Sequence, residues 1–214
     1  TQNQAFSALV FLYKRVLERP LERPLENVEA ARSRKDPRVP VVLTRAEVKT
    51  VLALLEGTPA LVVKLLYGCG LRIMEAARLR VQDIDYGYKH VTVRNGKGTK
   101  DRVTPFPAKL EPLLRNHLER VQVIHEQDVA KGHGAVYLPY ALARTYPNAE
   151  REWHWQYVFP SRNVSVDPRS GVRRRHHIDP SVMNKAIKGV VNKAEMTKKV
   201  SAQTFRHSFA THLL

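Results

Sequence analysis

Three basic side chains stand in local settings suited to anion chemistry. Arg72 follows Gly68-Cys69-Gly70-Leu71 at the expected start of a helix, where unpaired backbone N–H groups favour an anion. Lys97 is flanked by glycines in the turn signal Asn95-Gly96-Lys97-Gly98, which leaves its side chain free to swing into a cleft. Arg206 lies in the closing stretch, where Phe205, Phe209 and Leu213 recur every four residues and are expected to share a buried stripe. A guanidinium set among such residues is costly unless it meets a partner, and an anion bound in a cleft is one. Taken singly, each has a plain alternative, since surface arginines and loop lysines are commonplace. In series they form three signatures: Gly-Leu-Arg-x-x-Glu, Gly-Lys-Gly-x-Lys and Arg-His-x-Phe-Ala-Thr-His.

The elements that must position these groups follow from periodicity. Phe6, Leu9, Val10, Tyr13, Val16 and Leu17 predict an amphipathic helix over residues 3–18. One helix cannot bury its own stripe, so residues 1–18 are expected to end a domain whose earlier part is absent. Next, Glu18-Arg19-Pro20-Leu21-Glu22-Arg23-Pro24-Leu25-Glu26 repeats a proline-bearing unit, and with the charged run to Pro40 it predicts an interdomain linker over 19–40. Thr44-Arg45-Ala46-Glu47 is a capping box that opens a helix with Val48, Val51, Leu52 and Leu55 inward, ended by Gly57. Pro59 starts a second helix, apolar from Ala60 to Tyr67 and broken by Gly68-Cys69-Gly70. Arg72 starts a third, with Ile73, Ala76, Ala77 and Leu79 inward. His90–Val93 and Arg102–Pro105 are β-prone runs on either side of the Lys97 turn. Residues 108–127 return to helical spacing through Leu110, Leu113, Leu114, Leu118, Val121 and Ile124, and 181–193 are helical again. The predicted class is mainly α with a small antiparallel β hairpin or sheet.

Charge narrows the partner. The 36 Lys and Arg against 20 Asp and Glu give a net charge of +16 at an ordinary apolar content of 43%. That is a folded chain suited to a polyanion, with binding that weakens steeply as salt rises. The blander alternatives are a ribosomal-type RNA binder and a basic protein with no specific partner. Cys69 is the single cysteine, which excludes an internal disulfide and a cysteine-based zinc site and points to a reducing compartment. No apolar run approaches the roughly eighteen residues of a membrane span, and no signal peptide opens the chain. The expectation is a cytoplasmic, nucleic-acid-facing protein with no membrane partner and a true start upstream of Thr1.

The three signatures in series resemble the tyrosine recombinases, the family of the phage integrases and Xer recombinases, from about residue 43 to the end. The resemblance implies a tyrosine-recombinase catalytic domain over 41–214, preceded by the last helix of a helical core-binding domain in 1–18. It implies catalytic roles for Arg72, Lys97 and Arg206, with Glu75 supporting Arg72. The chemistry suits these residue types. Attack on a phosphodiester builds charge on the non-bridging oxygens, and two planar guanidiniums can clamp them. Lysine can protonate the 5′-oxygen leaving group. A 3′-phosphotyrosyl link stores the bond energy, so rejoining needs no cofactor.

Two departures stand out. Where the family has His three residues before the second Arg, this chain has Gln203, which can donate a hydrogen bond but carries no proton. The family's nucleophilic tyrosine falls after the Arg206 motif, whereas all eight tyrosines here, Tyr13 to Tyr157, precede it. The nucleophile is therefore expected beyond Leu214.

Residues 135–178 differ from the rest. Seven aromatic residues fall between Tyr137 and Phe159, although only 7% of the chain is aromatic, and Arg173-Arg174-Arg175-His176-His177 follows. This segment resembles the extra segment of integron integrases, which recombine cassette sites folded from one DNA strand and read bases left outside the stack. Unpaired bases stack on aromatic rings for roughly 1–3 kcal/mol each. Trp153, Trp155, Tyr157, Pro168, Arg175, His176 and His177 are the candidate DNA-binding residues; the alternative is an ordinary aromatic subcore. Trp153 and Trp155 would share a face on a strand and diverge on a helix. No carboxylate or Cys stands at ligand spacing around the His pair, so no metal is expected. The leading expectation is an integron-type recombinase acting as a homotetramer on folded single-stranded hairpin sites and duplex sites. The alternatives are a catalytically idle DNA-binding module, another tyrosine recombinase acting on duplex sites, and a type IB topoisomerase.

Overall fold

The computed structural model describes residues 2–17, 39–94, 101–138, 142, 145–146 and 148–213. The chain divides into two compact units, Thr1–Val39 and Pro40–Leu214. In the first, α1 (Gln2–Phe11) runs on through a wider π-helical turn, Leu12–Val16, and leaves Leu9 and Phe11 exposed. Most of the predicted linker lies outside the described residues.

The second unit is built around an apolar helix. Thr44 accepts the Glu47 backbone N–H while the Glu47 carboxylate accepts that of Thr44, so both ends of the expected capping box close α2 (Arg45–Leu54). Gly57, at φ +60°, begins α3 (Gly57–Gly68) instead of only ending α2. Ala60, Leu61, Val62, Val63, Leu65 and Leu66 of α3 are all buried, and each larger side chain stabilises by roughly 1.5–3 kcal/mol. Against α3 pack α6 (Pro180–Lys193) and α7 (Ala202–Leu213), the latter through Phe205, which is fully buried. The expected stripe on α7 fades outward: Phe209 is half-buried and Leu213 is 67% exposed, so the stripe ends before the helix does. Ser208 lies on the buried side too, where its hydroxyl accepts from the Leu43 N–H and donates to the Thr204 carbonyl.

Between α3 and α6 the chain forms α4 (Ile73–Ala77) and a three-stranded antiparallel sheet in the order β1 (Ile84–Asp85), β2 (His90–Val93), β3 (Arg102–Pro105). Val91 pairs with Thr104 and Val93 with Arg102, and Val91 and Val93 both face the core. The turn that carries Lys97 lies outside the described residues. Then follows α5 (Glu111–Ala130), with Leu114, Leu118 and Val121 buried; Leu113 and Ile124, expected inward, are exposed. A second sheet that the sequence did not announce pairs β4 (Pro160–Val166) with β5 (Arg173–His177). The fold is therefore mainly helical with two small antiparallel sheets. No helix of the described residues is long and apolar enough to cross a membrane.

Candidate active site

Glu75 gathers the basic residues. It sits on α4, one turn after Arg72, and its side chain is only 9% exposed. Its Oε2 accepts the Arg72 backbone N–H at 2.7 Å and its Oε1 accepts Arg72 Nη1 at 2.7 Å. The N–H that the sequence reading offered to an anion is thus already taken by this carboxylate. Arg102, from β3, donates Nη1 to Oε1 at 2.8 Å and Nη2 to Oε2 at 2.6 Å. Arg206, from α7, reaches Oε2 with Nη1 at 3.4 Å. The partner that Arg206 required is therefore found within the chain.

Electrostatics follow from this packing. Burial pushes the Glu75 carboxyl up, but hydrogen bonds from Arg102 and from Arg72 outweigh it and hold the group at about 2. Burial, and then the charge of Arg72, lower the Arg206 guanidinium, which nevertheless stays charged at neutral pH. Three guanidiniums around one carboxylate leave two positive charges unbalanced. Such a concentration suits a tetrahedral oxyanion. Gln203 lies one helical turn before Arg206 and is exposed. Lys97 lies outside the described residues.

The aromatic segment is organised by a residue that sequence reasoning missed. Arg80 donates to the Trp155 carbonyl at 2.5 Å and the Tyr137 carbonyl at 2.7 Å, and its guanidinium lies 4.8 Å from the Tyr157 ring centre. Around it, Val81 N–H donates to the Gln156 carbonyl and Val158 N–H to the Leu79 carbonyl, stitching 156–158 to the segment after α4. Val136, Leu138, Ala149 and Tyr157 form a small second core. No local signal marked Arg80, because its partners are 57 and 75 residues away.

The candidate DNA-binding residues divide accordingly. Trp153–Trp155 form a 3₁₀ turn, so the two indoles diverge: Trp153 packs on the main core and Trp155 on the small one. Both remain partly exposed. Tyr157 is 5% exposed beneath Arg80 and stacked on His176, so its face is not presented to a ligand. Arg175 forks onto Asp128 at 2.5 and 2.9 Å and also donates to the Ser161 and Arg162 carbonyls. It straps β5 to α5. His176 is exposed, His177 half-buried, and their rings lie 4.2 Å apart; burial lowers the pKa of each. Pro168 is exposed in the β4–β5 turn. Among the described residues no group of three or more His, Cys, Asp or Glu could hold a metal.

A mainly helical unit thus brings arginines from the N-cap of α4, from β3 and from α7 onto one carboxylate. Residues 41–214 match the phage integrase family, and the chain belongs to it. Two proteins described as "Integrase/recombinase", from Escherichia coli and Pseudomonas aeruginosa, are each 45% identical over 214 residues, which is 100% of this chain and 63% of theirs. The chain thus spans less than two thirds of those relatives. The tyrosine recombinase XerA of Pyrococcus furiosus is 31% identical over 193 residues, 88% of this chain and 54% of its own. Among solved structures, a XerA recombinase aligns with a TM-score of 0.53 at 22% identity, covering 98% of this chain and 60% of that one. A XerH recombinase bound to its difH substrate before cleavage aligns at 0.54 and 19% identity, covering 84% of this chain and 44% of that one. Both share the fold.

Proposed function

We propose that this chain carries most of the catalytic domain of a site-specific tyrosine recombinase that cuts and rejoins DNA through a 3′-phosphotyrosyl intermediate. The observation that carries this reading is the convergence of Arg72 and Arg206, from distant parts of the chain, on one buried carboxylate. In the reaction, Arg72 and Arg206 hold the non-bridging oxygens of the scissile phosphate, where charge accumulates during attack. Gln203, one turn from Arg206, donates a hydrogen bond to the same phosphate. Lys97 delivers a proton to the departing 5′-oxygen. The nucleophilic tyrosine is none of the eight in this sequence.

The finer reading is an integron-type integrase, working as a homotetramer in the bacterial cytoplasm on folded single-stranded and duplex sites. It is supported by the aromatic segment, whose partly exposed Trp153, Trp155 and His176 can stack on extrahelical bases. The DNA-bound state of the XerH relative supports a DNA partner.

Trapping covalent protein–DNA complexes on a nicked suicide substrate tests the proposal. Full-length wild type should accumulate them, and Arg72→Ala should bind the same DNA yet react about 10²–10³ times more slowly. Equal accumulation by Arg72→Ala would remove Arg72 from the site. No covalent complex from the wild type would favour the idle DNA-binding module, for which Gln203 in place of His already speaks.

A further inference from the structure

Arg102 plays no part in the clamp just described, yet it makes the best-formed contact in the cluster. Both terminal nitrogens of its guanidinium are committed to Glu75, one to each oxygen, at 2.8 and 2.6 Å. Arg72 reaches one carboxylate oxygen through a single side-chain nitrogen at 2.7 Å, and Arg206 makes only a long contact at 3.4 Å. A two-pronged fork fixes the plane of a carboxylate as well as its position, which a single-point contact cannot do. It also shares the carboxylate's charge with Arg72, paired at 2.7 Å, and with Arg206, which keeps only the long contact. They are held in place, with donors left for a phosphate.

The backbone around Arg102 fits such a task. It pairs with Val93, whose side chain is 3% exposed, so the strand that carries the guanidinium is anchored in the core. Two residues on, Thr104 is buried and donates to the Cys69 carbonyl, three residues before Arg72. Strand β3 and the segment leading into α4 are thereby joined twice, once by Thr104 and once by the Arg102 fork.

We propose that Arg102 is a positioning residue for the two-arginine clamp, its fork on Glu75 fixing the carboxylate that orients Arg72 and Arg206. This rests on the reading of Arg72 and Arg206 as the groups that hold the scissile phosphate. The fork turns one N–H of each terminal nitrogen of Arg102 toward Glu75. Its effect on rate passes through Glu75, and that dependence separates it from a direct DNA contact.

The test is single-turnover cleavage at saturating DNA by full-length Arg102→Met, Arg102→Lys, Glu75→Gln and the Arg102→Met/Glu75→Gln pair, with Arg72→Ala as the control. Arg102→Met should cleave about 10- to 100-fold more slowly while its DNA affinity and unfolding midpoint stay near wild type. Arg102→Lys, restoring charge but only one prong, should recover part of the rate. In the Glu75→Gln background, Arg102→Met should add no further loss. Cleavage by Arg102→Met within twofold of wild type, with Arg72→Ala slowed about 10²–10³-fold, overturns the proposal and leaves the clamp standing. Additive losses in the pair, or rate and affinity falling together, overturn it in favour of a direct DNA contact. If Arg102→Met does not fold, Arg102→Lys decides: wild-type cleavage by it shows that charge alone suffices and sinks the fork. Wild-type cleavage by Arg72→Ala would remove the clamp itself.

Discussion

Gly70 lies so close to the ring of Phe209 that a β-carbon on it would stand 2.4 Å from Cε1 and 2.5 Å from Cδ1. Gly70 precedes Arg72 by two residues and Phe209 follows Arg206 by three, so this contact sets how near the two arginines can come. Gly70 also has φ +62°, a conformation that costs a residue with a side chain about 1–2 kcal/mol.

Gly70→Ala should therefore destabilise the protein by at least about 2 kcal/mol, clash and backbone strain together. Denaturant midpoints measure this. Adding Phe209→Leu should recover the clash component but not the strain. A neutral Gly70→Ala would mean that α7 moves freely against the Gly70 loop.

Arg80→Met should loosen the aromatic segment while leaving the main core intact. It strips the half-buried carbonyls of Trp155 and Tyr137 of their donor, at roughly 1 kcal/mol each. Amide exchange should quicken across residues 136–157 and stay slow in α3. Uniform acceleration would show that the segment and the core unfold as one.

His117 supplies a pH dependence. Carried on α5 and buried against Phe159, it hydrogen-bonds the Val158 carbonyl, and burial, with the charge of Arg120, lowers its pKa below the ordinary 6.5. The folded state thus binds a proton less readily than the unfolded chain. Stability should be full above 6.5 and fall as pH drops through and below it. The loss of unfolding free energy between pH 7.5 and 5.5 should be smaller in His117→Gln than in wild type. An equal loss would assign the dependence to other histidines.

Trp155→Ala should weaken binding to a folded single-strand site by roughly 1–3 kcal/mol and leave linear duplex binding nearly unchanged. Tyr157→Leu, at a buried position, should lower stability and affect both substrates alike. Equal weakening of both substrates by Trp155→Ala would return the segment to an ordinary subcore.

Much of this architecture was legible because it is local. The capping box at Thr44, the apolar run of α3 and the break at Gly68-Cys69-Gly70 all act within a few residues of themselves. What escaped depends on distant partners. Arg173-Arg174-Arg175-His176-His177 offered DNA-binding candidates but no strand signal, yet it is a strand whose Arg174 pairs with Asp167 and whose Arg175 pairs with Asp128, 47 residues back. Arg102 was visible only as a β-prone residue, since nothing in its neighbours announces Glu75. The arginine motifs could be read as an anion site with Glu75 supporting Arg72; that the same carboxylate also gathers Arg102 and Arg206 could not.

That occupied site makes the protein sensitive to its solution. Glu75 keeps its charge down to about pH 2, so protons cannot retune the cluster at any ordinary pH. The surplus charge on Arg72, Arg102 and Arg206 is left for whatever anions the medium holds. On the proposed function, sulfate and phosphate buffers should compete with DNA at this one place, beyond their general screening of the basic surface. At equal ionic strength, exchanging chloride for sulfate should lower the cleavage rate more than it lowers DNA affinity.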